Sequence, residues 1–260
     1  MTAGNEFIRQ TSYHKNPESA QKQGLPQPPL ELPYSPSARL IDLPAPEDLE
    51  VAAIDLRQAV EQRVSVRKYG NTPLSMVELS YLLWMTQGVK QVTNRPATLR
   101  TVPSAGARHP FETYLLINRV DGLQPGLYRY AALEHALLEL DLTAGVNENL
   151  TTACLEQKQI FNSAVTFFWV AVVDRMMWRY PERGYRYLFL DAGHICQNLY
   201  LAAEAVDCGV CAIAAFDDDL LNPALGLDGE TLFVAYAGSL GKKECPDETF
   251  DIQKSKGVYR

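Results

Sequence analysis

The sequence predicts an α+β fold, a central, mostly antiparallel sheet flanked by helices, and three observations carry that expectation. Residues 165–173, Val-Thr-Phe-Phe-Trp-Val-Ala-Val-Val, are β-branched and aromatic throughout and read as a central strand. Residues 185–206 form the longest helical stretch and are apolar on most sides, which places that helix centrally. Helices and strands follow one another without strict β-α-β repetition, so a parallel sheet is not expected, and no internal repeat is visible.

The elements follow in chain order. Residues 1–50 differ from the rest: Pro17 and seven prolines between Gly24 and Pro46 leave few apolar clusters. This reads as an N-terminal extended arm without its own core, either wrapped over a surface and pinned by Phe7, Ile8, Tyr13, Leu40 and Ile41, or poorly ordered. A single domain is expected over 51–260. Helical spacing covers 49–62 and gives way to a loop at 63–70. Ser75-Met76-Val77-Glu78 is a capping box that starts a helix running to about Thr86 and stopped at Gly88. Residues 96–110 are a loop bearing Pro and Gly, 112–119 a buried strand and 126–141 a hairpin-like pair. A helix is expected near 147–157, extended chain over 210–216, a helix over 217–225 and a last strand over 231–239.

The totals restrict function. With 260 residues, 47% apolar and 21% charged, the chain can bury a large core. The net charge of −7 and scattered Lys and Arg give no basic face for nucleic acid. A phosphate ligand is still compatible, since it needs only a few local cations and amides. No segment approaches the roughly 18–20 uncharged apolar residues of a membrane span, the longest run ending at Asp174. The N-terminus lacks a charged lead with an apolar core, and five cysteines without framework spacing suit reduced thiols, so a cytoplasmic protein is expected.

Several segments carry candidate chemistry. Arg63, Ser65 and Arg67, with Val64 between, place two guanidiniums and a hydroxyl where a helix becomes a loop, suited to a phosphate or a ring carbonyl; a solvated basic turn is the plain alternative. In the loop Pro103, Ser104, Ala105 and Gly106, small residues let a flat ligand lie against backbone, Ser104 adds a donor, and Pro103 and Pro110 limit the loop's freedom; an ordinary surface loop is the alternative. Cys208-Gly209-Val210-Cys211 has no second pair to complete a zinc site, so Asp207, Cys208 and Gly209 read as a helix end whose small residues, with Val210 after them, pass close to a ligand. Asp191, His194 and Asn198 share one helix face, as a buried polar stripe or a catalytic dyad. His109 is placed to face a substrate, and His14 and His135 look incidental. Lys242 and Lys243 follow glycines at a strand end, fit for a phosphate or simply a solvated turn.

Together these segments resemble the nitroreductase superfamily, and its SagB-type dehydrogenase branch in particular, over about residues 55–243. The residues that carry the resemblance are Arg63-Val64-Ser65-Val66-Arg67-Lys68-Tyr69, Pro103-Ser104-Ala105-Gly106-Ala107-Arg108-His109-Pro110, and 187–199 from Tyr187 to Leu199. The resemblance implies an intertwined α+β homodimer with two FMN sites at the subunit interface. Arg63, Ser65 and Arg67 would contact the flavin, the Pro103–Gly106 loop would come from the partner subunit, an amide near Cys208, Gly209 and Val210 would approach N5, and Lys242 or Lys243 would meet the phosphate.

The implied chemistry is hydride transfer through FMN, with NAD(P)H as donor and a small organic acceptor such as a nitro or quinone compound. The cofactor then carries the difficult step and no catalytic side chain or metal is expected. Two alternatives stand beside it: an azoline dehydrogenase oxidising thiazoline or oxazoline rings in peptides, and a non-enzymatic flavin-binding sensor or partner protein. Azoline dehydrogenases of this branch carry a Lys-Tyr pair before the long helix. Here the region reads Arg183-Gly184-Tyr185-Arg186-Tyr187, so Tyr185 is kept as a substrate-facing candidate, with Arg186 as an alternative, and no lysine is present.

Overall fold

A computed structural model describes residues 1–95 and 97–244. Pro96, at the start of the expected 96–110 loop, and 245–260 of the expected domain, Cys245 included, lie outside the described residues. The elements are α1 (Ala3–Gln10), β1 (Leu40–Asp42), α2 (Leu56–Gln62), α3 (Met76–Gln87), β2 (Val89–Val92), β3 (Thr98–Arg100), β4 (Phe111–Ile117), β5 (Gly126–Ala131), β6 (Ala136–Asp141), α4 (Val146–Ala153), α5 (Lys158–Phe161), β7 (Val165–Val172), α6 (Val173–Met177), α7 (Gly184–Glu204), β8 (Cys208–Ile213), α8 (Asp218–Ala224) and β9 (Leu232–Lys242).

Seven strands form one sheet in the order β1-β6-β5-β4-β7-β9-β8, and every neighbouring pair is antiparallel. The pleat of β7 explains its uninterrupted apolar run, because both faces of the sheet are covered. Val165, Phe167, Trp169 and Ala171 join Leu79, Leu82 and Leu83 of α3 and Leu188, Ala192, Ile195 and Leu199 of α7 in one core. Phe168 and Val170 face the other way, onto Leu150 of α4 and Leu221 and Leu225 at α8. The capping box forms as the sequence predicts: Glu78 N–H donates to Ser75 Oγ at 3.2 Å and Ser75 N–H to Glu78 Oε2 at 2.9 Å.

Several boundaries differ from the sequence expectation: strand β3 lies inside the expected 96–110 loop, β8 ends at Ile213 rather than 216, and three others have a local cause. The helix expected over 49–62 begins only at Leu56, because Asp55 caps it, accepting from Gln58 N–H at 3.0 Å. The helix expected over 147–157 stops at Ala153; Leu155 and Glu156 take positive φ values of 59° and 56° and turn the chain before α5. The last strand runs on to Lys242 rather than ending at 239, because β8 pairs with it along its whole length.

Residues 1–50 are not wholly extended: they hold α1 and the edge strand β1. Proline denies this arm a regular ladder, so side chains of the globular part hold its backbone carbonyls and amides instead. Arg175 Nε–H donates to Pro29 O at 2.8 Å, Arg129 Nη2–H to Leu32 O at 2.9 Å, and Leu32 N–H to Glu112 Oε1 at 2.9 Å. Arg175 and Glu112 form a buried ion pair at 2.5 Å, each side chain 3% exposed. His135 is structural rather than incidental, its ring lying 2.7 Å from both Ser80 Oγ and Tyr130 Oη.

Candidate active site

Residues 63–67 are extended and lie along the free edge of β8. Ser65 bridges Val210 in parallel and Val66 N–H donates to Val210 O at 2.9 Å. Arg63, Ser65 and Arg67 therefore alternate onto one side. Arg63 stacks 5.1 Å over the Tyr200 ring, and Ser65 Oγ is 3.0 Å from Tyr200 Oη. Tyr200 in turn accepts from Ala212 N–H of β8 at 2.9 Å, so one α7 residue organises both segments. Tyr69 anchors the segment from inside, its hydroxyl 2.9 Å from Val66 O and 2.8 Å from Ser239 Oγ, and burial raises its pKa well above the usual range. Among the described residues neither Arg63 nor Arg67 has an ion-pair or hydrogen-bond partner for its guanidinium. Arg67 is exposed, and its charge reaches the Cys211 thiol.

Of the helix end expected at 207–209, Asp207 makes the turn after α7 with a positive φ of 50°, but Cys208 and Gly209 already belong to strand β8, as does Val210. Gly209 is small for a packing reason, since a Cβ there would lie 2.5 Å from Val66 Cβ. Gly241, its partner in β9, likewise makes room for Tyr69, which would be 2.8 Å from a Cβ. Both Cys208 and Cys211 are free thiols, and burial pushes Cys208 up to about 12.

Lys242 and Lys243 arrive at the same place, opposite Cys208 in the β8–β9 register, with Gly70 N–H donating to Lys242 O at 2.9 Å. Their ammonium groups differ. Lys242 donates to Glu78 and to Val206 O at 2.8 Å and is mostly covered, whereas Lys243 pairs with Glu204 at 2.6 Å and stays 37% exposed. Lys243 is thus the freer of the two to meet an anion.

The Pro103–Gly106 loop is elsewhere. Ser104 Oγ–H donates to Asp191 Oδ2 at 2.6 Å, Ala105 N–H reaches Asp191 Oδ1 at 3.3 Å, and His109 N–H donates to Ser104 Oγ at 2.9 Å. The hydroxyl hydrogen of Ser104 is thereby committed inside the chain rather than offered to a ligand. Gly106, Ala107 and His109 hold positive φ values of 59°, 53° and 43°, with Arg108 between them in the right-handed region, so the loop turns tightly just after the Asp191 contacts. Asp191 is nine residues from Tyr200 on α7, about 13 Å at roughly 1.5 Å per residue, so in one chain the loop is apart from the other three segments.

The remaining candidates separate. Asp191 is buried, and burial raises its pKa. His194 is exposed, and Asn198 donates to Met85 O at 2.9 Å, so the three make no dyad. The His109 ring is buried and its pKa falls to about 3, from burial first and then the Arg100 charge, leaving it neutral. Tyr185 is half-buried in the first turn of α7, while Arg186 Nε–H donates to Thr11 Oγ1 at 2.6 Å and its Nη2–H to Ile8 O at 2.6 Å, tying down the arm. Tyr200 was not among the candidates; its signal in the sequence was an aromatic residue with a polar tip on an otherwise apolar helix. Among the described residues no cluster of His, Cys, Asp and Glu can hold a metal, and no helix is long and apolar enough to cross a membrane.

The chain is similar to known proteins over most of its length. The model of the Nitroreductase family matches residues 60–242. The chain is 31% identical over 189 residues to the nitroreductase MJ1384 of Methanocaldococcus jannaschii, covering 73% of this chain and 93% of that protein. It is 28% identical over 154 residues to the trifolitoxin-processing protein TfxB of Rhizobium leguminosarum bv. trifolii, covering 58% of this chain and 41% of that one. A solved nitroreductase of Anabaena variabilis superposes with a TM-score of 0.63 at 28% identity, over 80% of this chain and 42% of the other. The chain thus spans less than half of the last two.

Proposed function

The chain belongs to the nitroreductase family of oxidoreductases, and from that premise we propose that it is an FMN-dependent enzyme, a cytoplasmic homodimer that moves hydride from NAD(P)H to a small organic acceptor. One observation carries the reading. Segments 63–70, 208–212 and 241–243, distant in sequence, lie side by side: Tyr200 joins the first two, strand pairing joins the third to both, and among the described residues the guanidiniums of Arg63 and Arg67 make no ion pair.

That donor set fits a flavin mononucleotide. Arg63, Ser65 and Arg67 would bind its phosphate, ribityl or pyrimidine portions, Lys243 suits the phosphate better than Lys242, and the Cys208–Val210 strand would border the ring. FMN supplies the hydride chemistry when bound. This chain's part is to orient the ring, exclude water and hold positive charge beside it. Apolar side chains exposed on neighbouring elements, Phe189 and Leu190 of α7 with Leu56 and Val60 of α2, support a subunit interface there. Such a dimer would bring the Pro103–Gly106 loop to the other chain's Tyr200 cluster.

The test is the visible spectrum of the purified protein, which is expected to show flavin bands that bleach with NADH or NADPH. Arg63→Gln and Arg67→Gln should each weaken FMN binding by about tenfold, the worth of a charge-assisted contact. A colourless protein that takes up no added FMN overturns the proposal, and bound FMN that no common donor bleaches points to a sensor or partner protein. Azoline oxidation in peptides is the second reading, favoured by the relation to a toxin-processing protein and by the SagB-like segments. Against it, Arg183 and Arg186, in the region where the Lys-Tyr pair would fall, are occupied with holding the arm.

A further inference from the structure

Beside the Pro103–Gly106 loop a cavity of about 760 Å³ opens, walled by Thr93, Asn94, Arg95 and Ala97, by Arg108, and by Trp178 and Arg179 beyond β7. Among the described residues its lining holds three arginines, Arg95, Arg108 and Arg179, and no Asp or Glu, in a chain with 31 acidic and 24 basic residues. Two of these guanidiniums meet at one glycine. Arg108 Nε–H donates to Gly106 O at 3.2 Å, and Arg179 Cδ and Nε lie 3.0 Å from where a Gly106 Cβ would be. A side chain at Gly106 would push Arg179 away.

Like charges held together without a carboxylate are costly unless an anion joins them. Arg108 and Arg179 make no ion pair among the described residues. They are held in place by neutral partners: Arg108 by Gln27 Oε1 at 3.1 Å and the Trp178 ring at 5.1 Å, Arg179 by the Tyr180 ring at 5.5 Å. Burial and the Arg179 charge both lower the Arg108 pKa, a mark of that proximity. A second cavity of about 340 Å³ shares Arg179 and adds Lys22 and Arg183, again without an acid in its lining among the described residues. The positive surface therefore continues on both sides of Arg179.

We propose that this cavity binds the oxyanion of an organic substrate, a carboxylate or phosphate ester clamped by Arg108 and Arg179, so that the acceptor is an anion rather than a neutral molecule. Its role as the reacting acceptor rests on the oxidoreductase reading above; the binding itself does not. Equilibrium dialysis of the full chain, without any electron donor, compares 4-nitrobenzoate and 4-nitrophenylphosphonate with neutral 4-nitrobenzamide. Both anions should bind about tenfold or more tightly than the amide, with an advantage that shrinks as salt is raised.

Arg179→Gln should remove most of that advantage, Arg179→Lys should keep part of it and Arg179→Glu should reverse it. Arg179 is exposed, so unchanged melting temperatures are expected and show that the fold is intact. Equal binding of the amide, or an anion preference that survives the Arg108→Gln/Arg179→Gln double variant, overturns the proposal. In a parallel arm, an Arg179 effect confined to NADPH over NADH would give the cavity to the electron donor and overturn the assignment to the acceptor. A protein without flavin would defeat the oxidoreductase reading and leave the dialysis result standing.

Discussion

Asp191 holds the 103–110 loop, and removing it should release that loop. Its carboxylate is 4% exposed and accepts from Ser104 Oγ–H at 2.6 Å and Ala105 N–H at 3.3 Å, while Ser104 accepts from His109 N–H at 2.9 Å. Hydrogen bonds to a charged acceptor contribute roughly 1.5–3 kcal/mol each, and relief of the buried charge offsets part of the loss. Asp191→Ala should therefore cost about 3 kcal/mol, a fall in Tm of about 6–12 °C for a chain of this size. Loss of packing alone would also destabilise, so the decisive measurement is a double-mutant cycle of Asp191→Ala with Ser104→Ala by urea denaturation. The expected coupling is about 1.5–3 kcal/mol, because each variant removes the same short bond. Additivity to within about 0.5 kcal/mol would refute the claim that Asp191 positions the loop.

Two further outcomes follow from buried groups. Glu31 has its pKa raised to about 7, by burial first and then by the nearby Glu112 charge. A folded pKa above the unfolded one means that the folded state holds the proton longer, so this group's stabilising contribution is complete below about pH 4.5 and is lost as pH rises to about 7. Melting temperature should therefore lose part of its value between those limits, and Glu31→Gln should flatten that slope; an unchanged slope would remove Glu31 as its cause. Gly209→Ala would place a Cβ 2.5 Å from Val66 Cβ, an overpacking worth about 1–3 kcal/mol. Denaturation should show that loss and its partial recovery in Gly209→Ala/Val66→Gly, whereas a neutral Gly209→Ala would show that the segment is not fixed against β8.

The sequence was most informative where local chemistry decides the outcome. Ser75 and Glu78 announced α3 because a capping box is complete within four residues, and the β-branched and aromatic run in β7 announced a central strand. It was least informative where a residue's role depends on a partner far along the chain. Gly209 reads as a ligand-facing glycine until Val66 is seen against it, and Ser104 reads as a free donor until Asp191 takes its hydrogen. Lys242 and Lys243 are equivalent on paper; Glu78, 164 residues away, separates them. The arm over 1–50 was legible as proline-rich, but the arginines that hold it, Arg129, Arg175 and Arg186, are spaced through β5, α6 and α7 with no local pattern.

The separation along α7 gives the two-chain pocket its own test. If segments 63–67 and 103–106 serve one flavin, the roughly 13 Å between Tyr200 and Asp191 requires the loop to come from a second copy. Arg67→Gln damages one half of such a pocket, and Asp191→Ala, by releasing the loop, damages the other. In a dimer that combines one chain of each kind, one pocket then carries both defects and the other carries neither. Random reassortment of equal amounts makes about half of the dimers mixed, so about a quarter of all pockets should regain full FMN affinity. If both segments served a flavin within one chain, every pocket of a mixed dimer would keep one defect and mixing would restore nothing. Titrating FMN into each variant alone and into the mixture separates the two arrangements: a tight-binding fraction present only after mixing requires the shared pocket, and its absence, with mixed dimers confirmed by mass, rules that pocket out.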